Sequence, residues 1–247
     1  LIGALLFVAL AWSAWMLRTM LVIGLMGWVG SACATEEDPA LAAALLKCPR
    51  AAAFIDAAKR HKADELAPAE VVPSEPALRE QLLEMARIDQ DARSGEWSPQ
   101  MIEKMLAVDA ANLPQIRKIA AEHDGLPAVS QVGADGLSAA WLLVQHADRD
   151  VDFQRGVLER IMPLVGRGEV SSREYALLTD RVLVNSNRPQ RYGSQLLAVG
   201  GEWQPRPMEA PDQVDQRRAA VGEMPLADYI CVATQLMSPP SSEGGER

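Results

Sequence analysis

The sequence predicts a mainly α fold: a single helical domain with a long irregular loop at about 185–212 and few or no strands. Three observations predict it. Apolar residues recur at helical spacing through most of the chain, as in Leu78, Leu82, Met85, Ile88 and again in Phe153, Val157, Ile161, Leu164. Helix-start signals precede several of these stretches. Convincing period-2 alternation is scarce, and only Val129–Val132 and Leu196–Val199 suggest short strands.

Each element follows in order. Ala40 to about His61 reads as an Ala-rich helix interrupted near Pro49. Residues 62–76 contain Pro68, Pro73 and Pro76 and read as a connector. Ala77–Arg93 carries the first apolar stripe. Ser98-Pro99 offers a cap followed by Pro in the first turn, and that helix is expected to run to about Asp124, with Gly125 as its stop and Pro114 kinking or splitting it. Leu137–His146 is apolar nearly all round, so it should be buried. The Phe153 stripe follows, with a kink expected near Pro163. Ser171-Ser172-Arg173-Glu174 contains a capping box that opens a helix to about Val184. After the loop come a helix over Asp212–Val221 and a short apolar one at Leu226–Met237. The polar tail from Ser238 is expected to be disordered.

The first 34 residues read as an address. From Met16 there is a short basic start, an apolar run Leu21–Val29, and small residues ending in Ala32-Cys33-Ala34. This is the pattern of a secretory signal cleaved after Ala34, with residues 1–15 as extra upstream sequence. Two alternatives stay open: a lipoprotein box at Gly30-Ser31-Ala32-Cys33, and an uncleaved anchor. The expected organisation is therefore 1–34 signal or membrane segment, 35–76 helical extension and connector, 77–237 helical domain, 238–247 tail. The expected location is the bacterial periplasm.

Composition narrows the partners. With 24 basic and 33 acidic residues the chain carries −9. Without residues 1–34, whose only charge is Arg18, the balance is 23 against 33, or −10. That argues against a nucleic-acid backbone as partner, and against a polybasic membrane-binding surface. Any membrane contact is expected only through the N-terminal segment. Cys48 and Cys231 form an even pair beyond the signal, so an oxidising compartment would bridge them. Two separate buried thiols are the alternative.

The chemistry-bearing residues cluster between Gln145 and Gln195. His146 ends a buried helix, with Gln145 and Asp148 alongside; imidazole near a carboxylate is the usual general base near neutral pH, while a single His is more often a core histidine that hydrogen-bonds to hold a helix end. Asp148, Asp150, Asp152 and Glu159 fall at positions 1, 3, 5 and 12 of a calcium loop. The required glycine is Phe153 here, so an acidic helix start is the simpler reading. No metal ligands are expected, because no His or Cys spacing suits zinc, and no cofactor fingerprint occurs. Asp180 and Arg181 sit within an apolar helix, where the guanidinium needs a carboxylate, internal or a ligand's. Gln190, Tyr192, Gly193 and Gln195 lie in the loop with ring, hydroxyl and amide chemistry.

Several motifs occur in a fixed order: Asp89-Gln90-Asp91-Ala92-Arg93, Gln145-His146-Ala147-Asp148, Phe153-Gln154, Thr179-Asp180-Arg181, Gln190-Arg191-Tyr192-Gly193-Ser194-Gln195, and Arg217-Arg218-Ala219-Ala220-Val221-Gly222. Over roughly residues 78–230 this series resembles a family of bacterial domains known only as a domain of unknown function. Ser194 replaces the usual Thr and Asn187 a common Gly. The resemblance implies a mainly helical domain with a polar pocket and supplies no activity.

The expected function is an exported helical domain whose polar pocket binds a small polar or anionic ligand, with hydrolysis left open. His146, Asp148, Asp180 and Arg181 would be its catalytic groups, and Gln145, Gln154, Gln190, Tyr192, Gly193 and Gln195 its ligand-binding ones. The rival is an envelope interaction or structural protein, with an envelope protein as partner and the same motifs serving as an internal network. The pocket reading expects His146, Arg181 and Tyr192 to converge.

Overall fold

The computed structural model describes residues 39–64, 72–94 and 98–237. The expected signal, its Ala34 cleavage point, Cys33, most of the connector and the tail beyond 237 lie outside the described residues. The fold is mainly α, with one two-stranded sheet among the described residues. The chain groups into two compact units, which among the described residues comprise 72–188 in one and 39–64 with 189–237 in the other.

The 72–188 unit begins with α1 (Pro76–Arg93) and α2 (Pro99–Glu122), each with Pro in its first turn. Ser98 caps α2 as expected, its hydroxyl accepting from the Met101 N–H at 3.1 Å. Pro114 does not split α2, which continues through it to Glu122. The next helix, α3 (Val129–Gln145), packs along α1 and also meets α2. It starts eight residues before the expected Leu137. Val129–Val132 is its first turn rather than a strand. That turn is held by side chains the local pattern does not reveal: Gln131 Oε1 accepts from the Ala128 N–H at 2.9 Å, and Glu169 Oε2 from the Val129 N–H at 2.7 Å. Gly133, at φ +75°, then turns the chain before the helix proper. A side chain there would be strained, so the kink requires glycine.

The Phe153 stripe divides into α4 (Val151–Arg160) and the short α5 (Met162–Gly166), with Pro163 in the first turn of α5. The expected capping box opens α6 (Ser172–Asn185): Ser171 Oγ accepts from the Glu174 N–H, and Glu174 Oε2 from the Ser171 N–H. One apolar core joins these helices, including Leu82, Ile116, Val132, Val144, Val157, Ile161 and Leu178, all fully or almost fully buried.

The other unit opens with α7 (Pro39–Lys47) and α8 (Pro49–Asp64), broken at Cys48 as the Pro49 signal predicts. The expected irregular loop contains a hairpin. Its strands β1 (Leu196–Val199) and β2 (Glu202–Pro205) pair antiparallel, with Val199 opposite Glu202 across Gly200-Gly201. The Leu196–Val199 strand is thus as the sequence suggests. A 3₁₀ turn at Pro211–Gln213 leads into α9 (Val214–Ala220), and α10 (Leu226–Leu236) follows. Helix α10 packs against α7, α8 and β2. Cys48 and Cys231 are disulfide-bonded, with Cα atoms 6.0 Å apart across 183 residues of sequence. The bridge fastens the α7–α8 junction to α10, and Arg50 adds an ion pair with Asp228 at 2.9 Å. No described helix is long and apolar enough to cross a membrane.

Candidate functional site

The buried face of α1 runs through Leu82, Met85, Asp89 and Ala92, so a carboxylate occupies an apolar stripe. Ile88, which the sequence places on that face, is 41% exposed. Asp89 is 1% exposed and gathers three partners. His146 Nδ1 lies 2.8 Å from its Oδ2, Gln90 Nε2 donates to the same oxygen, and Arg93 donates to Oδ1 at 2.6 Å. Arg93 also donates to Asp109 Oδ1 at 2.6 Å, which joins α2 to the chain of contacts. The result is one line of groups: His146, Asp89, Arg93, Asp109.

The two carboxyls respond to this arrangement in opposite ways. Burial alone pushes the Asp89 carboxyl up, but the hydrogen bond and charge of His146, with Arg93 and Gln90, bring it below its ordinary value. Burial also pushes Asp109 up, and there it prevails over the opposing pull of Arg93 and His146. An ionised Asp89 accepts, so His146 Nδ1 carries a proton, and in the neutral ring Nε2 is then the acceptor. No described residue bonds Nε2.

His146 lines a small recess together with Asp89, Asp109, Asn112, Leu113, Leu143 and Ala147. Its empty volume is about 170 Å³, part of it open to solvent, and it is too narrow to seat a whole molecule without side-chain movement. Asn112, 8% exposed, brings an Nδ2 donor that finds no partner among the described residues. Asp109 and Asn112 lie three apart on α2, on the same face.

A second network lies one turn further along the chain. Asp148 Oδ2 receives Arg181 at 2.6 Å, and Oδ1 receives Asn185 Nδ2 at 2.9 Å and Gln154 Nε2 at 3.3 Å. Gln154 Nε2 also donates to the Val144 and Gln145 carbonyls at the end of α3, at 3.1 and 3.0 Å. The expected internal partner of Arg181 is therefore Asp148. Burial pushes the Asp148 carboxyl up, but Arg181, Asn185 and His146 together hold it below its usual value. Arg181 does not line the recess, which corrects the expected convergence with His146: its guanidinium is drawn to Asp148 instead. Asp180 is wholly buried on α6. The Gln145 side chain is wholly buried as well, and among the described residues neither its oxygen nor its nitrogen has a hydrogen-bond partner. Of the calcium-pattern residues, Asp150 caps α4 through the Phe153 N–H and pairs with Arg117. Asp152 lies in that helix's first turn and pairs with Arg155, and Asp148 holds Arg181, so the acidic run is a helix start.

The loop motif lies in the other unit. Gln190 is wholly buried and all its bonds go to backbone. Its Nε2 donates to the Gln195 and Arg206 carbonyls at 2.9 and 3.0 Å, and its Oε1 accepts from the Gln195 N–H at 2.8 Å. Arg217 donates to the Arg191 carbonyl at 2.6 Å. Arg218, 1% exposed, donates to the carbonyls of Met224 and Tyr192 and to Glu223, and stacks on the Tyr229 ring at 4.9 Å. The Tyr229 hydroxyl donates to the Ser194 carbonyl at 2.9 Å. Gly193, at φ +71°, leaves room for Leu226 and Met208, which a Cβ would approach at 2.9 and 3.0 Å. The side chain of Gln195 donates to Ser194 Oγ at 3.2 Å. Gln190, Gly193 and the two arginines thus form a clasp on the loop.

The pattern of a family of unknown function, DUF6624, matches residues 76–237. The chain belongs to that family. No curated protein and no solved structure matches it. The DUF6624 match begins at the start of α1 and ends just past α10, so it leaves out α7, α8 and Cys48 while including Cys231. Within the matched region, Asp89, Arg93, Asp109 and Asn112 are site residues that the reading of the chemistry-bearing cluster omits. The signal for them was present. Each continues an apolar stripe at helical spacing with a polar side chain, and Asp89 and Arg93 stand in the first motif of the series.

Proposed function

We propose that this chain is an exported protein whose 72–188 unit binds a small polar ligand at the His146 recess, with hydrolytic chemistry within reach. The observation that carries this is Asn112 Nδ2, a buried donor without a partner, beside an imidazole whose tautomer a buried carboxylate fixes. Leaving such a donor unpaired costs about 1–3 kcal/mol, and a ligand acceptor would recover it. As a hydrolase, His146 Nε2 would take a proton from water. Asp89 would hold the ring and stabilise its protonated form, and Asn112 would donate to the oxygen on which negative charge develops. Arg181 no longer supports an anionic ligand, because Asp148 neutralises it.

Export is part of this reading. It is supported by the signal-like pattern ending at Ala34 and by the bridged Cys48–Cys231 pair, which an oxidising periplasm would maintain. N-terminal sequencing of envelope protein should begin at Thr35. An intact start would remove the cleaved-signal reading, and a lipidated Cys33 would replace it.

A second reading has its own support. The paired Asp148–Arg181 network and the Gln190–Arg218 clasp are what an envelope interaction or structural protein would hold as an internal framework. One experiment separates the two. Protein recovered from the envelope is denatured, and its released small molecules are profiled by mass spectrometry beside the His146→Ala and Asn112→Leu variants. A polar compound enriched in wild type and lost from both variants supports the ligand site. Identical profiles would favour the framework.

A further inference from the structure

The recess has a definite hydrogen-bond pattern. Asn112 Nδ2 is a donor with no partner among the described residues. In the neutral ring His146 Nε2 is an acceptor, because Nδ1 holds the proton toward Asp89. Asp109 Oδ2 is a second acceptor, since Arg93 occupies only Oδ1 and no described residue bonds the other oxygen. The charges are unequal too: two carboxylates face one guanidinium whose NH1 and NH2 are both engaged.

An anion fits this pattern poorly. It would bring negative charge toward Asp89 and Asp109, where the one guanidinium, Arg93, is already engaged by both. A simple ammonium fits poorly for the opposite reason. It satisfies the two acceptors but turns an N–H toward the Asn112 donor, which stays unpaired. One neutral group has the complementary set, a carbonyl oxygen to accept and an adjacent NH₂ with two protons to donate. We propose that the recess recognises a neutral carboxamide, its oxygen accepting from Asn112 Nδ2 and its NH₂ donating to His146 Nε2 and Asp109 Oδ2. This rests on the reading of the recess as a ligand site. The tightness of the recess suits the tip of a ligand, reached after a turn of the Leu113 side chain.

The test uses ¹⁵N-labelled protein titrated separately with acetamide, acetate and methylammonium at matched concentrations. Acetamide is expected to move the Asn112 side-chain NH₂ peaks and the His146 Nε2 resonance along a saturable curve. Acetate and methylammonium should bind at least tenfold more weakly. Asn112→Asp, nearly isosteric and with its donor replaced by a carboxylate, should lose acetamide binding at least tenfold while keeping a folded spectrum. Should Asn112→Asp not fold, Asn112→Leu serves the same comparison. Acetate or methylammonium binding as tightly as acetamide would overturn the proposal, as would acetamide shifts that do not saturate or that persist in the variant. If an anionic compound co-purifies with wild type and is lost from His146→Ala, the ligand site stands and the carboxamide assignment falls. If no compound co-purifies and no probe binds, both fall.

Discussion

The Gln190–Arg218 clasp and the His146 recess both set polar side chains in buried surroundings, yet they use them differently. In the clasp, each polar atom of the Gln190 amide meets backbone, and all three Arg218 nitrogens donate to a named partner. A network satisfied in this way rigidifies a loop that has little apolar content of its own. In the recess, a donor on Asn112 and two acceptors, on His146 in its neutral form and on Asp109, line the same space with no bond to a described residue. Stability alone gives no reason to keep them. Polar residues in an apolar setting therefore divide by completeness of pairing: complete networks hold the fold, and incomplete ones are candidates for function.

The largest expected effect tests the clasp. Arg218→Met removes three donors from carbonyls and a carboxylate and leaves Glu223 buried beside an apolar chain. Orphaning a buried charge in this way should cost about 3–5 kcal/mol, read from the urea midpoint. A loss under about 1 kcal/mol, the scale of exposed ion pairs, would mean that the clasp is not structural, and the comparison would collapse. Next in size is the disulfide. Cys48→Ser with Cys231→Ser should lose about 2–5 kcal/mol, since the bridge closes a very long loop in the unfolded chain. Equal midpoints for the double variant and oxidised wild type would mean that α7 and α8 are held by packing and the Arg50–Asp228 pair alone.

A pH series sharpens the comparison within the 72–188 unit. Asp148 and Asp89 both titrate below their ordinary value in the fold. Each therefore contributes stability above the unfolded aspartate value of about 3.9 and loses it as pH falls through the folded one. Asp109 is shifted the other way, so its contribution is present below the unfolded value and is lost as pH rises through the folded one. Wild type should lose stability steeply below about pH 4, and Asp148→Asn should flatten that limb while lowering the plateau. An unchanged limb in Asp148→Asn would assign the acid transition to other carboxylates.

Most of the fold was legible because its signals are local. Ser98-Pro99, the Ser171–Glu174 capping box, Pro49 and the short apolar run Leu196–Val199 each act within a few residues, and each element appears where they predict. The error at Val129–Val132 has a non-local cause: the turn depends on Glu169, forty residues away. The candidate site was half legible. His146 is visible as a polar group ending an apolar helix. Its partners were missed because Ile88, next to Asp89, offered a more apolar continuation of the stripe, although the i, i+3, i+7 positions from Leu82 fall on Met85 and Asp89. The pairing of Arg181 with Asp148 could not be read from spacing, since the two lie 33 residues apart on separate elements.

The smallest expected effect is the sharpest test of the comparison, because its sign matters more than its size. Asn112→Leu replaces a buried, partnerless donor with an apolar group of similar volume. If Asn112 belonged to a framework like the clasp, the change should destabilise by the usual amount for a lost buried hydrogen bond, about 1 kcal/mol or more. The recess reading expects the reverse. No hydrogen bond is lost, a desolvated donor is removed, and apolar area is gained beside Leu113 and Leu143, so stability should stay level or rise by up to about 1 kcal/mol. Binding of the co-purifying compound should disappear in the same variant. A residue whose removal stabilises the fold and abolishes binding is kept for function. A clear loss of stability in Asn112→Leu, with the ligand profile unchanged, would place Asn112 among the structural residues and erase the distinction between recess and clasp.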